Sequence, residues 1–490
     1  MTKQEFSNPE KPAQNIGKYL YCIIVAIIFI ATLLSTWYIP LSIILFVVTV
    51  LMLLDRLGKG IVLRELIAAH SLFVCVFMPV IGYLIYNKNN LLARVWVKSM
   101  PISEEQYFSY ALPAMCLFIL ALCWPVTGKA SDQGKEMGET LNRARRILNE
   151  RPKIGFYIMI IGLVTFLVSP YLPAALQFVG TLIFWSSFAG ALYLYFSETA
   201  KRKRLIFLAF IIFILANAIR SGMFTIVVYM GITLFSFFYL GKKVAFWKKF
   251  ATLIVCIFTL ILIQSVKQSY RTLTWRQGYE GDKFLLFGSL LVDKWNSTSS
   301  FFEQDAFFPV YYRTNQGYNV SLVMQRFPKI KPYDNGKNLG RTVAASLVPR
   351  LFWPDKPEAG GKENMKYYAN INLRGWSTNV GPLGEAYGSF GPTGGIFYML
   401  FLGGLIRWAY RRIFIITEKV PLLFFWIPVF FYQVTYSAES DTLQILNSLI
   451  KSVFFVWLLV KLFPDWFGIS RNQYRYNPVE PPERVGAIQS

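Results

Sequence analysis

The chain of 490 residues holds a single histidine, His70, and only 16% of its residues are charged. One histidine rules out a His-based metal centre. His70 falls in the inner half of an apolar run, where it reads as a packed core residue away from the outer polar residues, so a Ser-His-Asp triad is excluded on the outer side. The five cysteines (Cys22, Cys75, Cys116, Cys123 and Cys256) all lie inside apolar runs. The long polar stretch late in the chain has none, which excludes a disulfide framework or a zinc site there. No phosphate-cradling glycine loop and no dinucleotide fingerprint occurs. An Asp-x-Asp pair that would hold a metal on a nucleotide sugar is also missing; Glu280-Gly-Asp282 is the nearest approach. Neither a metal nor a cofactor is expected.

What the chain has in quantity is apolar sequence: 54% of residues are hydrophobic and the mean hydropathy is +0.41. The apolar residues come in runs of about 18 to 23, the length a helix needs to cross the hydrocarbon core. They do not alternate with period two, which excludes a closed barrel. The spacing predicts an all-α polytopic membrane protein with about twelve spans, at 19–36, 37–54, 66–87, 107–127, 154–171, 173–196, 203–219, 222–240, 249–266, 393–410, 420–436 and 444–463. The first run lacks a small-residue cleavage site and a second follows at once, so it reads as a span and not a signal peptide.

The net charge of +23 is a topology signal, not a nucleic-acid footprint. With the N-terminus inside, each inner segment carries at least three Lys or Arg, as in Arg56, Lys59 and Arg64, or Arg407, Arg411, Arg412 and Lys419. The short outer turns near 36, 171 and 440 carry none. This bias predicts both termini in the cytoplasm and an even number of spans.

Four regions follow: spans 1 to 9 over 1–266, a large outer loop over 267–392 between spans 9 and 10, spans 10 to 12 over 393–463, and a disordered cytoplasmic tail over 464–490. The loop has fifteen Lys/Arg against ten Asp/Glu after Lys267. It is rich in Trp, Tyr and Phe, unlike a disordered linker, and a loop this long is usually functional. Phe284 to Trp295 and Val320 to Phe327 read as short helices on the membrane surface, and Gly138 to Glu150 as a surface helix on the inner side. No internal repeat suggests an inverted-repeat carrier.

Ionisable groups at membrane depth are costly and need a reason. Arg220, the Gln264–Lys267–Arg271 stripe, the Gln444–Asn447–Lys451 stripe, and Glu439 with Asp441 all lie near the outer face, where they could share a cavity. Lys451 sits about two turns inside its span, and a buried pair with Glu439 or Asp441 is its plainest structural role. Within the loop, Leu347-Val-Pro-Arg350-Leu-Phe-Trp-Pro-Asp-Lys356-Pro combines a proline-fixed backbone, a flat apolar face at Trp353 and fixed positive charge; Arg341 precedes it. Further on, Thr378-Asn-Val-Gly-Pro-Leu-Gly-Glu385-Ala-Tyr387-Gly-Ser-Phe-Gly391 runs into a span. Its glycines allow close backbone approach, and Glu385 is a candidate general base or a partner for a loop arginine.

These two motifs, with many spans and one large late loop, resemble the Wzy-type O-antigen and oligosaccharide repeat-unit polymerases. The motif likeness runs over roughly 200–440. The resemblance implies a bacterial inner-membrane, metal-independent glycosyltransferase that joins undecaprenyl-pyrophosphate-linked repeat units at the periplasmic face, in O-antigen, capsule or exopolysaccharide synthesis. Its partners would be the lipid-linked oligosaccharide and membrane lipids, with a chain-length regulator and a flippase alongside, and no nucleic acid. On that reading Glu385, Arg350 and Arg341 are catalytic, with Glu439 or Asp441 as reserve bases. Arg220, Arg271, Arg276, Lys356 and Lys451 would bind pyrophosphate, and Trp353, Trp376, Tyr387 and Asn379 would bind sugar. The alternatives are an O-antigen-ligase-like transferase and a lipid-linked sugar flippase.

Overall fold

The structure is a computed structural model that describes residues 12–127, 131–296, 304–348, 352–374 and 377–469. Those residues contain no β-strand, only isolated bridges, and the protein is an all-helical, multi-pass membrane protein. The helices in order begin with α1 (Pro12–Leu34), α2 (Tyr38–Arg56), α3 (Leu63–Leu84), α4 (Leu91–Val95) and α5 (Glu104–Cys123). Then come α6 (Gly134–Glu150), α7 (Ile154–Val168), α8 (Ala174–Phe196), α9 (Lys203–Ser221), α10 (Thr225–Phe238) and α11 (Phe246–Arg271). The late polar region folds as α12 (Lys283–Asn296), α13 (Gln304–Thr314), α14 (Gln316–Arg326) and α15 (Lys337–Leu347), before α16 (Gly381–Thr417) and α17 (Thr442–Leu462).

Nine helices among the described residues are long and apolar enough to cross a bilayer, and α1 adds a shorter apolar stretch, Tyr19–Leu34. Two of the twelve expected spans differ. The run at 222–240 forms α10, only 14 residues long, about 21 Å at 1.5 Å per residue. The run at 420–436 is not one helix. It breaks into a 3-10 turn at Leu423–Trp426, one α turn at Ile427–Phe430 and a kinked 3-10 stretch at Val434–Glu439. Its two ends lie beside those of α17: Leu422 N–H donates to Phe467 O just beyond the end of α17, while Asp441 caps the start of α17. The broken segment therefore covers the length of α17, about 31 Å for 21 residues. Every side chain from Leu422 to Tyr432 is buried, the one setting in which irregular backbone survives at membrane depth.

The basic segments meet at one end of the bundle. Lys249 Nζ donates to Leu54 O at 3.1 Å, Glu198 N–H to Asn149 Oδ1 at 2.7 Å, and Arg407 Nε to Trp124 O at 3.0 Å. Arg151 pairs with Asp465 at 3.0 Å. A buried network ties this end: Arg64 pairs with Asp132 at 2.9 Å and Arg56 with Glu65 at 2.5 Å. Helix α6 lies here as the expected surface helix. It buries Met137, Leu141, Ala144 and Leu148, a stripe at i, i+4, i+7, i+11.

At the other end, the late polar region is packed into the bundle. Tyr311 on α13 stacks on Tyr86 at 4.4 Å and donates to Lys98 O. Helix α14 was expected on the membrane surface; instead it buries Val320, Val323 and Met324. Helix α12 matches its expected bounds.

Helix α16 packs along α5. Tyr110 Oη donates to Leu383 O at 2.7 Å, and Gly403 approaches the Phe118 carbonyl so closely that a Cβ would lie 2.5 Å from it. Tyr110 near Leu383 and Trp124 near Arg407 make the two helices parallel. The α16 axis breaks at Gly391, with φ 70° and ψ −171° ahead of Pro392. Only glycine enters that region readily. The break separates a buried first segment, Gly381–Ser389, from the long apolar helix after it. Gly391→Ala should cost about 1–3 kcal/mol, since its Cβ would also press on Tyr333 at 3.1 Å. The expected result is an unfolding temperature several degrees below wild type in detergent; an unchanged value would show that the kink relaxes without cost.

Candidate functional site

The sequence Ser-Asp-Thr at 440–442 has the pattern of a helix start, and Asp441 is the N-cap of α17, its Oδ1 accepting the Gln444 N–H. Its other oxygen, Oδ2, accepts three donors: Gly360 N–H at 2.9 Å, Gly361 N–H at 3.1 Å and Asn379 Nδ2 at 3.0 Å. One buried carboxylate thus fastens the 360 loop and the irregular segment at 379 to a membrane helix. Gly361 is required here. Its φ is +84° and a Cβ would fall 2.2 Å from Thr378 O.

The next residue, Thr442, binds Glu385. Its N–H donates to Glu385 Oε2 at 3.1 Å, its hydroxyl donates to the same oxygen, and Asn364 Nδ2 donates to Oε1. Glu385 is 1% exposed, and these donors are what make its burial tolerable. Thr442 Oγ1 also meets Tyr398 Oη at 2.7 Å. A second polar chain runs beside it: Asn338 Nδ2 donates to Tyr368 Oη, which meets Ser389 Oγ at 2.9 Å.

In front of this joint lies a cleft of about 370 Å³ lined by Arg326, Lys331, Arg341, Lys366, Asn364 and Asp441, with Asn338, Glu358, Glu363 and Tyr367 among its other walls. Four cations therefore face three carboxylates. Arg341 is exposed and has no ion pair among the described residues. The Arg326 Nε is buried without a hydrogen-bond partner among the described residues. The Lys331 ammonium stands 3.1 Å from the Tyr367 ring centroid, and burial, then the neighbouring Arg326, push its pKa down. Such a set of cations suits a multiply charged anion. Among the described residues no three His, Cys, Asp or Glu side chains gather closely enough to hold a metal ion.

The residues singled out from sequence divide. Arg341 and Asp441 line the cleft, and Glu385 sits one side chain behind it, screened by Asn364. Arg350 and Trp376 lie outside the described residues. Lys356 gives protons to Ala345 O and Val348 O at 2.7 and 2.8 Å, closing the end of α15. Trp353 is half-buried and off the cleft. Tyr387 is a core residue, 6% exposed and edge-on to Tyr110 at 4.9 Å, so it offers no free face to a sugar. Asn379 is buried as a strut, its carbonyl accepting Gln316 Nε2 and Asn319 Nδ2.

Arg220 and Arg276 are exposed away from the cleft. Arg271 donates to Gly222 O at 2.8 Å and lies over Trp275. Lys451 stands 4.2 Å from the Phe178 ring centroid, about 15 Å along α17 from Asp441. His70, read from sequence as a packed core residue away from the outer polar groups, instead places Nε2 3.5 Å from Glu439. Glu439 also pairs with Arg313 at 3.0 Å, so Glu439 and Asp441 serve different neighbours.

Sequence reasoning missed Asn364, Thr442, Arg326, Lys331 and Lys366. The N-cap pattern at Asp441 was a readable signal; nothing local marks Asn364.

An amide at an ordinary N-cap is as good as a carboxylate. Here it has one acceptor oxygen for two sets of N–H groups. Asp441→Asn should therefore cost at least about 1 kcal/mol and Asp441→Ala more, through orphaned buried donors. Thermal unfolding of the purified protein checks this, and a neutral Asp441→Asn would mean that the Gly360–Gly361 contacts do not hold.

No curated protein and no solved structure matches the chain. A sequence family does match, over residues 60–419, which takes in the cleft from Arg326 to Asn370 and Glu385 but stops short of Asp441 and Thr442. By that match, which covers well over half of its length, the chain belongs to the family described as "Domain of unknown function (DUF8712)".

Proposed function

We propose that the protein is a glycosyltransferase of the inner bacterial membrane, polymerising undecaprenyl-pyrophosphate-linked oligosaccharide repeat units on the periplasmic side. The observation that carries this reading is the cleft itself: Arg326, Lys331, Arg341 and Lys366 around one hollow, with the Glu385 carboxylate behind Asn364. The loop motifs at 347–357 and 378–391 supply the family likeness. The clustering of basic segments at the opposite end of the bundle supports the orientation, since cytoplasmic loops are the basic ones.

In this reading the acceptor hydroxyl oxygen bonds to the donor's anomeric carbon. The bond from that carbon to the diphosphate oxygen breaks, and its electron pair leaves with the lipid diphosphate. The cations of the cleft stabilise that growing charge. The hydroxyl proton passes to Glu385 once Asn364 turns aside, and Asp441, already on the cleft wall, is the reserve acceptor.

Purified protein incubated with lipid-linked repeat units should produce a ladder of glycan lengths. Arg341→Ala should slow elongation by about 10²-fold, the usual cost of removing one donor to a developing anion. Glu385→Gln should stop elongation and, because its amide keeps only one oxygen for the Thr442 and Asn364 donors, also lower the unfolding temperature by a few degrees, so elongation is read well below that temperature, where the variant is folded. Ladders of normal length from both variants would remove these residues from the reaction. Deletion in cells separates the neighbouring activities: loss of a polymerase leaves single lipid-linked units, whereas loss of a ligase leaves long lipid-linked polymer. Movement of lipid-linked sugar across vesicles with no elongation would establish a carrier.

A further inference from the structure

The polar residues at the outer end divide into two groups, and the second is not part of the cleft. Arg313 on α13 lies within electrostatic reach of Lys98, Lys267 and Arg271. These four come from three separate parts of the chain: the segment after α4, the end of α11, and α13. The acid among them is Glu439, bonded to Arg313, in contact with His70 and acting on Lys267. Helix α13 packs against the end of α11, and Lys98 and Arg271 face Arg313 with no acid of their own among the described residues. Lys98 and Lys267 have no ion pair within 4 Å among the described residues, yet both are half-buried. The Lys98 ammonium rests on two rings, 4.6 Å from the Tyr312 centroid and 4.1 Å from Tyr318. Burial, and then Arg313, push its pKa down to about 8, as for a cation lacking a counter-charge.

The surroundings say what kind of anion fits. Leu91, Val95, Trp96 and Val97 are all more than half exposed next to Lys98, and so is Trp275 beneath Arg271. Trp96 packs edge-on against Tyr312, the ring that also carries Lys98. An exposed apolar and aromatic collar that ends in a cluster of cations is the arrangement of a membrane interface. It suits an amphiphile with a charged head better than a free anion.

We propose that Lys98, Lys267, Arg271 and Arg313 form a second anion site, separate from the cleft, that holds the phosphate head of a lipid. The site stands without the transfer reading. If that reading holds, two cation sets flanking the segment that carries Glu439 and Asp441 match the two lipid-linked substrates of a polymerisation step.

The test uses the full chain in detergent with Arg341→Ala, which weakens the cleft. Geranylgeranyl diphosphate is titrated while the unfolding temperature is read, with geranylgeraniol and phosphatidylglycerol as parallel arms. The diphosphate should stabilise the protein and the alcohol should not. Adding Lys98→Gln and Lys267→Gln should weaken the diphosphate by about tenfold or more, one to two lost charge contacts. Should the glutamine pair fail to fold, the arginine pair replaces it; keeping the charge, it should keep the affinity, and a tenfold loss there would overturn the proposal. Phosphatidylglycerol acting alone, and through the same lysines, would identify the head as that of a bilayer lipid. Undiminished diphosphate affinity in the glutamine variant, or equal stabilisation by the alcohol, would overturn the site. No glycan is present, so failure of the elongation assay leaves this result intact.

Discussion

The cleft end of the protein depends on two adjacent residues at the start of one membrane helix. Asp441 collects four N–H groups from three chain segments, and Thr442 gives two protons to a buried glutamate on another helix. Hydrogen bonds to an ionised group contribute about 1.5–3 kcal/mol each, and leaving one unmade in the interior costs as much. A cleft made of short helices and loops acquires fixed walls in this way. The 360 loop, the start of α16 and the start of α17 cannot move independently, so cations carried on α14, α15 and the 360s face one another at set distances.

Much of the bundle was legible in the sequence because a hydrocarbon solvent leaves few choices. Runs of apolar residues near twenty long can only be helices, and ten of the expected spans match helices closely. The exceptions are informative. The run at 420–436 reads as a span by hydropathy and is not one continuous helix, since hydropathy does not encode whether a segment faces lipid or protein. Leu422 to Tyr432 are enclosed on all sides, and a fully enclosed chain can satisfy its peptide groups with neighbours instead of with its own turn. The kink at Gly391 had a local signal, Gly-Pro, although its left-handed geometry is visible only in the fold.

The candidate site was less legible. Arg341 and Glu385 were identified from their motifs; Arg341 lines the cleft and Glu385 lies one side chain behind it. Yet the long motif around Trp353 and Lys356 is distinctive for a structural reason in part: Lys356 closes the helix before it. Tyr387 and Asn379 looked like ligand-facing groups and proved to be core and strut. Charge and aromaticity in a loop say that a residue has a task, but whether it faces inward or outward is set by contacts across more than fifty residues, as with Asn379 and Asp441. The same limit explains why the polar groups that seemed to share one cavity are dispersed: Asp441 lines the cleft, Glu439 pairs with Arg313, and Arg220 and Lys451 stand apart.

The broken, enclosed segment at 422–441 has a bearing on how the chain is built. A continuous apolar helix can be released sideways into lipid as soon as it is made, because it already hides its own amides. A segment of 3-10 turns and single coils cannot, since its peptide groups stay bare until α8, α16 and α17 are packed around it. Biogenesis of this part of the protein must therefore be concerted: the segment has to wait in a protected setting until α17, the next apolar helix, has been synthesised. A ribosome that stalls before Thr442 would leave behind a product with nowhere to put the preceding twenty residues.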